Sequence, residues 1–191
     1  MLGGLVTLFA RAVMAASPVG VYLEFDEPPS KSSVEAMQKE ASGILARVAI
    51  NIAWRLVSEN KGDEPFERVV VVKFTGKCSC GGFLPATRQT LVLGTTAVVD
   101  GRVLPYSQVR CDAVRRVLPD VEFAADRRLG DAELGRVLGR VLAHELYHAV
   151  LGTARHGASG LAKRFQTTEE LKSGELVFHG GDWELSPAVA K

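Results

Sequence analysis

Hydrophobic and polar residues follow two different periods in the first third of the chain. Residues 19–25 alternate as in a half-buried strand, and residues 50–57 repeat that alternation. Between them, residues 34–48 place their hydrophobic positions three and four apart, which predicts a helix capped by Ser32 or Ser33. The pattern therefore predicts a strand, a helix and a second strand in that order.

The middle of the chain favours strands and loops. Residues 68–74 include four consecutive valines, and such a β-branched run favours a strand buried on both faces. A loop with two cysteines follows at 76–82, and residues 89–98 predict another strand interrupted by a glycine. We expect a short helix at 106–118, which ends before a proline.

The strongest helical pattern lies at residues 131–151, where two adjoining hydrophobic stripes run along one side. The aspartate that opens it is placed to cap it, and Gly152 is placed to end it in a left-handed conformation. Residues 152–160 then form a loop. One of the two threonines at 167–168 is positioned to cap a last helix over 169–178.

The order of these elements predicts an α+β domain: a twisted mixed sheet with helices on one side, a long helix after it, and a small C-terminal part. The 191 residues are 47% hydrophobic and 24% charged, which is enough for one domain with its own core. We therefore assign residues 17–191 to a single domain.

Charge and hydropathy exclude several classes of function. The formal net charge is +1 and the basic residues are scattered, so the sequence lacks the electrostatic footprint of a nucleic-acid-binding protein. No apolar run reaches the roughly 20 residues of a membrane span. Residues 1–16 are mostly apolar, end in small residues and resemble a secretory signal, which predicts a secreted or periplasmic protein. An ordinary N-terminal helix and a misplaced start codon are the alternatives.

Three cysteines leave two interpretations open. A bridge from Cys78 or Cys80 to Cys111 would staple the loop after one strand to a later segment, as suits an oxidising compartment. A bond between Cys78 and Cys80 would close too small a ring to be relaxed. Three unpaired thiols in a reduced protein are the alternative, and the Cys-x-Cys spacing is a poor zinc signature.

Three of the four histidines lie in one stretch, VLAHELYHAVLGTARHG, at residues 141–157. His144 and His148 are four residues apart on the predicted long helix, so both imidazoles lie on one face and can bind a single ion. Glu145 is about 100° further around the helix axis, so its carboxylate points beside that ion and can accept a proton from water. This His-Glu-x-x-His arrangement predicts a zinc hydrolase site. The alternative is two core histidines and a solvent-facing glutamate.

Catalytic zinc takes three protein ligands, so a third ligand must come from elsewhere in the chain. His156 is our first candidate, because a reversal at Gly152 would fold it back over the helix. Glu169 or Glu170 on the last predicted helix is the second candidate, and His179 is the third. In the alternative interpretation the two glutamates are surface charges and His179 is a loop residue.

The HELYH sequence resembles the zincin superfamily of zinc metallopeptidases, and HELYHAVLGTARH resembles a metzincin variant. The metzincin pattern is His-Glu-x-x-His-x-x-Gly-x-x-His, and here Gly152 comes one residue late and His156 two residues late. A Met-turn should follow, but all three methionines precede the motif. Leu161 or Phe165 would therefore have to form the floor of the site.

The chain also resembles a group of exported bacterial proteins. They share HELYH, a later H-x-x-S-G-x-A-K segment, here HGASGLAK, and an upstream LPYSxVxCD stretch, here LPYSQVRCD. This resemblance spans residues 45–180 and implies a metal hydrolase without indicating its substrate. Peptide deformylases also combine His-Glu-x-x-His with a cysteine ligand, but their other motifs have no counterpart around Cys78 and Cys80.

The zincin resemblance implies a peptidase with Zn²⁺ as its cofactor and a protein or peptide as its substrate. Its implied ligands are His144, His148 and His156, and its implied general base is Glu145. The zincin fold also places a substrate-binding edge strand at residues 91–98. Three residues are candidates for stabilising the oxyanion: Tyr147, Arg155 and His179. The alternatives are a non-catalytic binding module and a zinc hydrolase of a non-peptide amide.

Overall fold

A computed structural model describes residues 17–82, 84, 91–122, 124–179 and 181 of the chain. One mixed sheet contains five strands: β1 (Val19–Phe25), β2 (Ile52–Leu56), β3 (Val69–Thr75), β4 (Gly94–Val99) and β5 (Arg102–Arg110). They lie in the order β2-β1-β3-β5-β4. Neighbouring strands are parallel except β4, which pairs antiparallel with β5 and forms one edge of the sheet.

The helices of the described residues pack on this sheet or on one another. They are α1 (Lys31–Ala46), α2 (Cys111–Arg116), α3 (Pro119–Glu122), α4 (Arg127–Leu151) and α5 (Thr168–Lys172). The buried residues of α1 and α4 form one hydrophobic core with the buried faces of β1, β3 and β5. The predicted combination of a mixed sheet and one long helix in an α+β domain is therefore confirmed.

The long helix α4 ends where the sequence predicts but begins earlier. Gly152 has φ 61° and ψ 32°, the left-handed conformation that glycine adopts without steric cost. The N-cap is Asp126 rather than the predicted Asp131, because the Asp126 carboxylate accepts hydrogen bonds from two amides of the first turn. Asp131 instead accepts a hydrogen bond from the backbone N–H of Cys80 at 2.5 Å. Its side chain therefore attaches the cysteine loop to α4.

Two shorter helices also differ from their predicted limits. The cap of α1 is Ser30, whose Oγ accepts from the N–H of Ser33 at 3.2 Å, so the prediction of Ser32 or Ser33 is wrong. Thr167 caps α5 as predicted, in a capping box with Glu170. However, α5 stops after five residues instead of continuing to 178, because a serine and a glycine follow.

The predicted helix at 106–118 is wrong in its first half. Residues up to Arg110 belong to β5, and only then does the chain turn into α2. Ser107 and Val109 are fully buried while Gln108 between them is only half-buried, which is the alternation of a strand. Pairing with β3 on one side and β4 on the other therefore overrides the local helical pattern.

The valine-rich strand β3 is buried on one face rather than on both. Val70, Val72 and Phe74 are fully enclosed, whereas Val69 is 41% exposed and Val71 is half-buried. Helices α1 and α4 cover the face that carries Val70, Val72 and Phe74, and they leave the other face uncovered. The predicted strand at 89–98 starts only at Gly94, and residues 89 and 90 lie outside the described part of the chain.

A disulfide joins Cys78 to Cys111, so the interpretation of three unpaired thiols is wrong. It connects the loop after β3 to the first residue of α2, as one of the two predicted bridges would. Cys80 is buried beside this loop. Residues 1–16, which resemble a secretory signal, lie outside the described residues. In the part of the chain that is described, no helix is both long and apolar enough to cross a membrane.

Candidate metal centre

The structure brings the three clustered histidines together at the C-terminal end of α4. His144 and His148 lie on its last two turns, and the turn at Gly152 leads the chain back so that His156 faces them. One ligand nitrogen from each imidazole can be chosen so that all three lie within 4.8 Å of one another. The His148 ring centroid is 4.7 Å from that of His144 and 4.6 Å from that of His156.

Backbone carbonyls fix the orientation of the two helical imidazoles. His144 Nδ1 lies 2.7 Å from the carbonyl oxygen of Leu161, and His148 Nδ1 lies 2.8 Å from that of Thr153. A carbonyl oxygen can only accept, so each Nδ1 carries the proton and donates it. Each neutral ring is therefore left with an unprotonated Nε2, the form that binds a metal ion.

The two unprotonated nitrogens converge as ligands of one ion do. His144 Nε2 and His148 Nε2 are 3.1 Å apart, and neither has a proton to place between them in the neutral form. Tetrahedral zinc with Zn–N bonds of about 2.0–2.1 Å places two nitrogen ligands about 3.3 Å apart. Three neutral imidazoles also match the donor preference of zinc, which copper, nickel and iron share. The residues present therefore fit a divalent transition metal.

Burial, which is only partial for His156, disfavours the charged form of these histidines. It lowers the pKa of His148 to about 4, helped by the neighbouring His144 imidazole and opposed by the Thr153 carbonyl. Burial also lowers the pKa of His144, against the opposing hydrogen bond to Leu161. The pKa of His156 is lowered by burial and by the positive charge of Arg164. Each shift favours the neutral form of the ring, which is the form that binds a metal ion.

Glu145 lies beside the histidines in an environment that disfavours its charge. It is 4% exposed, and burial raises the pKa of its carboxyl to about 7. A hydrogen bond from Thr96 Oγ1 to Glu145 Oε2, 2.7 Å long, partly offsets that rise. A carboxyl group with a pKa near neutrality can both accept and release a proton at physiological pH.

A cavity of about 580 Å³ opens over the histidines and Glu145. Residues 91–93 before the edge strand β4 and residues 94–96 of β4 itself line one side, and residues 164–166 line another. Val141, one turn before His144 on α4, contributes an apolar wall together with Val117 and Leu171. The cavity is therefore a cleft bounded by a sheet edge, with a lining that combines apolar side chains with the histidines, Glu145 and further polar residues.

The rival third ligands lie elsewhere. The Glu170 carboxylate accepts from the Thr167 N–H at 2.7 Å and pairs with Lys163, so its oxygens are already engaged. Glu169 and His179 are exposed. Within the described residues, the one group of potential metal ligands that converges is the three histidines.

The predicted oxyanion residues are not placed for that task. Tyr147 is fully buried in a small cluster and stacks on Phe178 at a centroid distance of 5.4 Å. Arg155 and His179 are exposed, and neither they nor Tyr147 are among the described residues that line the cavity. Arg164 does line it, and the sequence offered no reason to select this residue over the other arginines.

Several groups of the site cannot be identified from sequence motifs. The Leu161 and Thr153 carbonyls act through the backbone, so their side chains carry no signal. Leu161, a suggested replacement for the Met-turn, is buried under His144, whereas Phe165 is 73% exposed at the cavity. Thr96 reaches Glu145 only through the pairing of β4 with β5, which the sequence could not specify.

Comparison with family models, with curated proteins and with solved structures found no match to this chain. The resemblance to zincins therefore depends on the motif at residues 144–156.

In the metal-free protein, Glu145 and His148 should give opposite pH dependences of the free energy of unfolding. Folding raises the pKa of Glu145, so its contribution is fully present below about pH 4.5 and is lost as the pH rises through about 7. Folding lowers the pKa of His148, so its contribution is present above about pH 6.5 and is lost as the pH falls through about 4.

Glu145→Gln removes the pH-dependent contribution of Glu145 to the free energy of unfolding and leaves that of His148. Relative to the wild type, the chelator-treated variant should gain stability as the pH rises from about 4.5 to about 8, because one pKa unit corresponds to about 1.4 kcal/mol. The gain should be at most about 3 kcal/mol. Urea unfolding of both proteins across this range measures it, and a difference that stays constant with pH would contradict the assignment.

Proposed function

We propose that this protein is a zinc-dependent peptidase of the zincin type. His144, His148 and His156 are the zinc ligands, and Glu145 is the general base. The observation that carries the proposal is the convergence of three uncharged imidazoles, two of them oriented by carbonyls, beside a buried carboxyl group with a pKa near 7. Histidines that only filled a core would not direct two unprotonated nitrogens at each other 3.1 Å apart.

The division of chemical roles follows from this arrangement. Zinc held by three imidazoles supplies Lewis acidity, which makes water a nucleophile near neutral pH and polarises a carbonyl group. Glu145 accepts the proton of the attacking water and then delivers it to the leaving amine. Its burial supports both steps, because a raised pKa makes the protonated form accessible between them. Arg164 adds positive charge at the edge of the cavity.

The cleft suits an extended peptide. Among the described residues, no strand pairs with the outer side of the edge strand β4, where a peptide backbone can add by strand pairing. The apolar wall formed by Val141, Val117 and Leu171 is suited to an apolar side chain near the scissile bond. We therefore propose a protein or peptide substrate with a hydrophobic residue beside the cleaved bond.

The disulfide supports a location outside the reducing cytosol. Cys78–Cys111 closes a loop with a sequence separation of 33 residues, and such bridges persist in oxidising compartments. Together with the signal-like residues 1–16, it supports our proposal of a secreted or periplasmic protein.

Metal analysis combined with a peptide-library digest tests the proposal. Protein purified without chelator should contain about one zinc per chain, and the digest should show cleavage that a chelator abolishes and added zinc restores. Absence of bound metal after exposure to excess zinc at neutral pH would sink the proposal. Bound zinc without any cleavage would favour a non-catalytic binding module. Hydrolysis of small amides but not of peptides would point to a non-peptide amide as the substrate.

A further inference from the structure

The edge strand β4 is hydrogen-bonded to the glutamate of the site. Thr96 Oγ1 donates to Glu145 Oε2 at 2.7 Å, although the two residues are 49 positions apart in sequence. Thr96 Oγ1 is also 2.9 Å from Ser107 Oγ on β5, and Thr96 and Ser107 are direct partners in the strand register. Three side chains from three elements thus form one continuous chain of hydrogen bonds.

The donor of each hydrogen bond in this series follows from the number of protons that each group carries. The Thr96 hydroxyl has a single proton, and an ionised Glu145 carboxylate can only accept. Thr96 therefore donates to Glu145, and Ser107 donates to Thr96. Ser107 is fully buried, so its hydroxyl has no access to competing bulk water. The Thr96 hydroxyl also lies 3.1 Å from the backbone carbonyl oxygen of Glu145, but the contact to Oε2 is shorter at 2.7 Å, and an ionised carboxylate is the stronger acceptor.

Gly94 restricts the other carboxylate oxygen by close packing. A Cβ atom at residue 94 would lie 2.6 Å from Glu145 Oε1 and 2.8 Å from Glu145 Cγ, closer than real Cβ atoms approach their neighbours. Only glycine leaves room for the carboxylate to lie against the strand. One oxygen of Glu145 is thus held by a donor and the other is enclosed by backbone.

We propose that Thr96 is the positioning residue for Glu145, and that Ser107 fixes the Thr96 hydroxyl. The proposal rests on the proposed role of Glu145 as the general base. It adds that the orientation of this base is set by the strand that lines the substrate cleft, and not by α4 alone. General-base catalysis is sensitive to orientation, because misplacement by about 1 Å can cost roughly 100-fold in rate.

Two substitutions of Thr96 separate positioning from packing. Thr96→Val keeps the shape and removes the hydroxyl, whereas Thr96→Ser keeps the hydroxyl and removes a methyl group. We expect Thr96→Val to lower kcat roughly 10–100-fold, the range for loss of a hydrogen bond to a charged group. KM and zinc affinity should stay within about 2-fold, because valine keeps the shape of this cleft-lining side chain and no zinc ligand is removed. Thr96→Ser should retain kcat within about 3-fold of the wild type.

Thr75→Val is the matched control. Thr75 ends β3 in the same sheet and is half-buried, but it does not line the cavity. The Thr75→Val variant should leave kcat unchanged. Its free energy of unfolding measures the cost in stability of a threonine-to-valine change in this sheet. Equal kcat in Thr96→Val and the wild type would overturn the proposal. An equal loss in Thr96→Ser and Thr96→Val would also overturn it, since the hydroxyl would then not be the cause.

A readout without activity separates this proposal from the proposed function. Crystal structures of the wild type and of both Thr96 variants should show one Glu145 conformation in the wild type and in Thr96→Ser. In Thr96→Val the carboxylate should move or split between conformations. An unmoved carboxylate in Thr96→Val contradicts positioning by Thr96. Absence of hydrolysis by the wild type would instead refute the peptidase proposal, leaving the structural comparison to decide the role of Thr96.

Discussion

Glu145→Gln should abolish peptide hydrolysis while the protein keeps its zinc. Glutamine preserves the size of the side chain and an oxygen that can accept from Thr96, so the site should keep its geometry. It cannot accept a proton from water. We expect kcat to fall about 10²–10⁴-fold, the usual contribution of a general base, with the zinc dissociation constant within about 3-fold of the wild type.

Zinc titration and steady-state kinetics on the same preparations measure both quantities. Glu133→Gln is the matched control, because it makes the same change on α4, where Glu133 only pairs with Arg136 at 3.4 Å. This control should keep full activity. If Glu145→Gln instead lost zinc and activity together, Glu145 would be acting as a metal ligand, and our assignment of it as the base would be wrong.

His156→Ala should release zinc from an otherwise intact fold. His156 is exposed, so its removal leaves the hydrophobic core untouched, and the metal-free variant should unfold close to the wild-type temperature. Structural zinc sites with four ligands bind with about 10–16 kcal/mol, which corresponds to about 2.5–4 kcal/mol for each ligand. The zinc dissociation constant should therefore rise on the order of 10²–10³-fold.

The lower zinc affinity of His156→Ala should also reduce the stabilisation of the folded protein by zinc. Since a bound ligand stabilises the folded state in proportion to the logarithm of its affinity, the zinc-induced gain in unfolding free energy should shrink by about 2.5–4 kcal/mol. Two rival candidates provide the controls: Glu169→Ala and His179→Ala, both at exposed positions. If either control loses zinc affinity while His156→Ala retains it, the third ligand is not His156.

Much of the candidate site follows from the sequence, because its centre is local. The spacing of His144 and His148 puts both imidazoles on one face of any helix, and the position of Glu145 puts its carboxylate beside them. The end of α4 at Gly152 was also predictable, since glycine adopts the left-handed cap without steric cost. These features need only a helical backbone, and they are found where the sequence predicts them.

The errors in the predicted fold share one cause. Residues 106–110 have a local pattern that suits a helix, but pairing with two neighbouring strands makes them β5. Val69 and Val71 are as hydrophobic as Val70 and Val72, yet only the latter pair faces the core. Whether a strand is covered on one face or on both depends on where distant helices pack, and local composition does not carry that information.

By itself, the sequence determined that two histidines and one glutamate converge on a helix, and it offered three sources for a third ligand. Only the tertiary structure brought His156 to them, engaged Glu170 with Lys163, and placed Thr96 against Glu145. The physical reason is distance along the chain. Helix periodicity fixes the relations of residues within a turn or two, whereas strand register and loop return are decided by packing of the whole core.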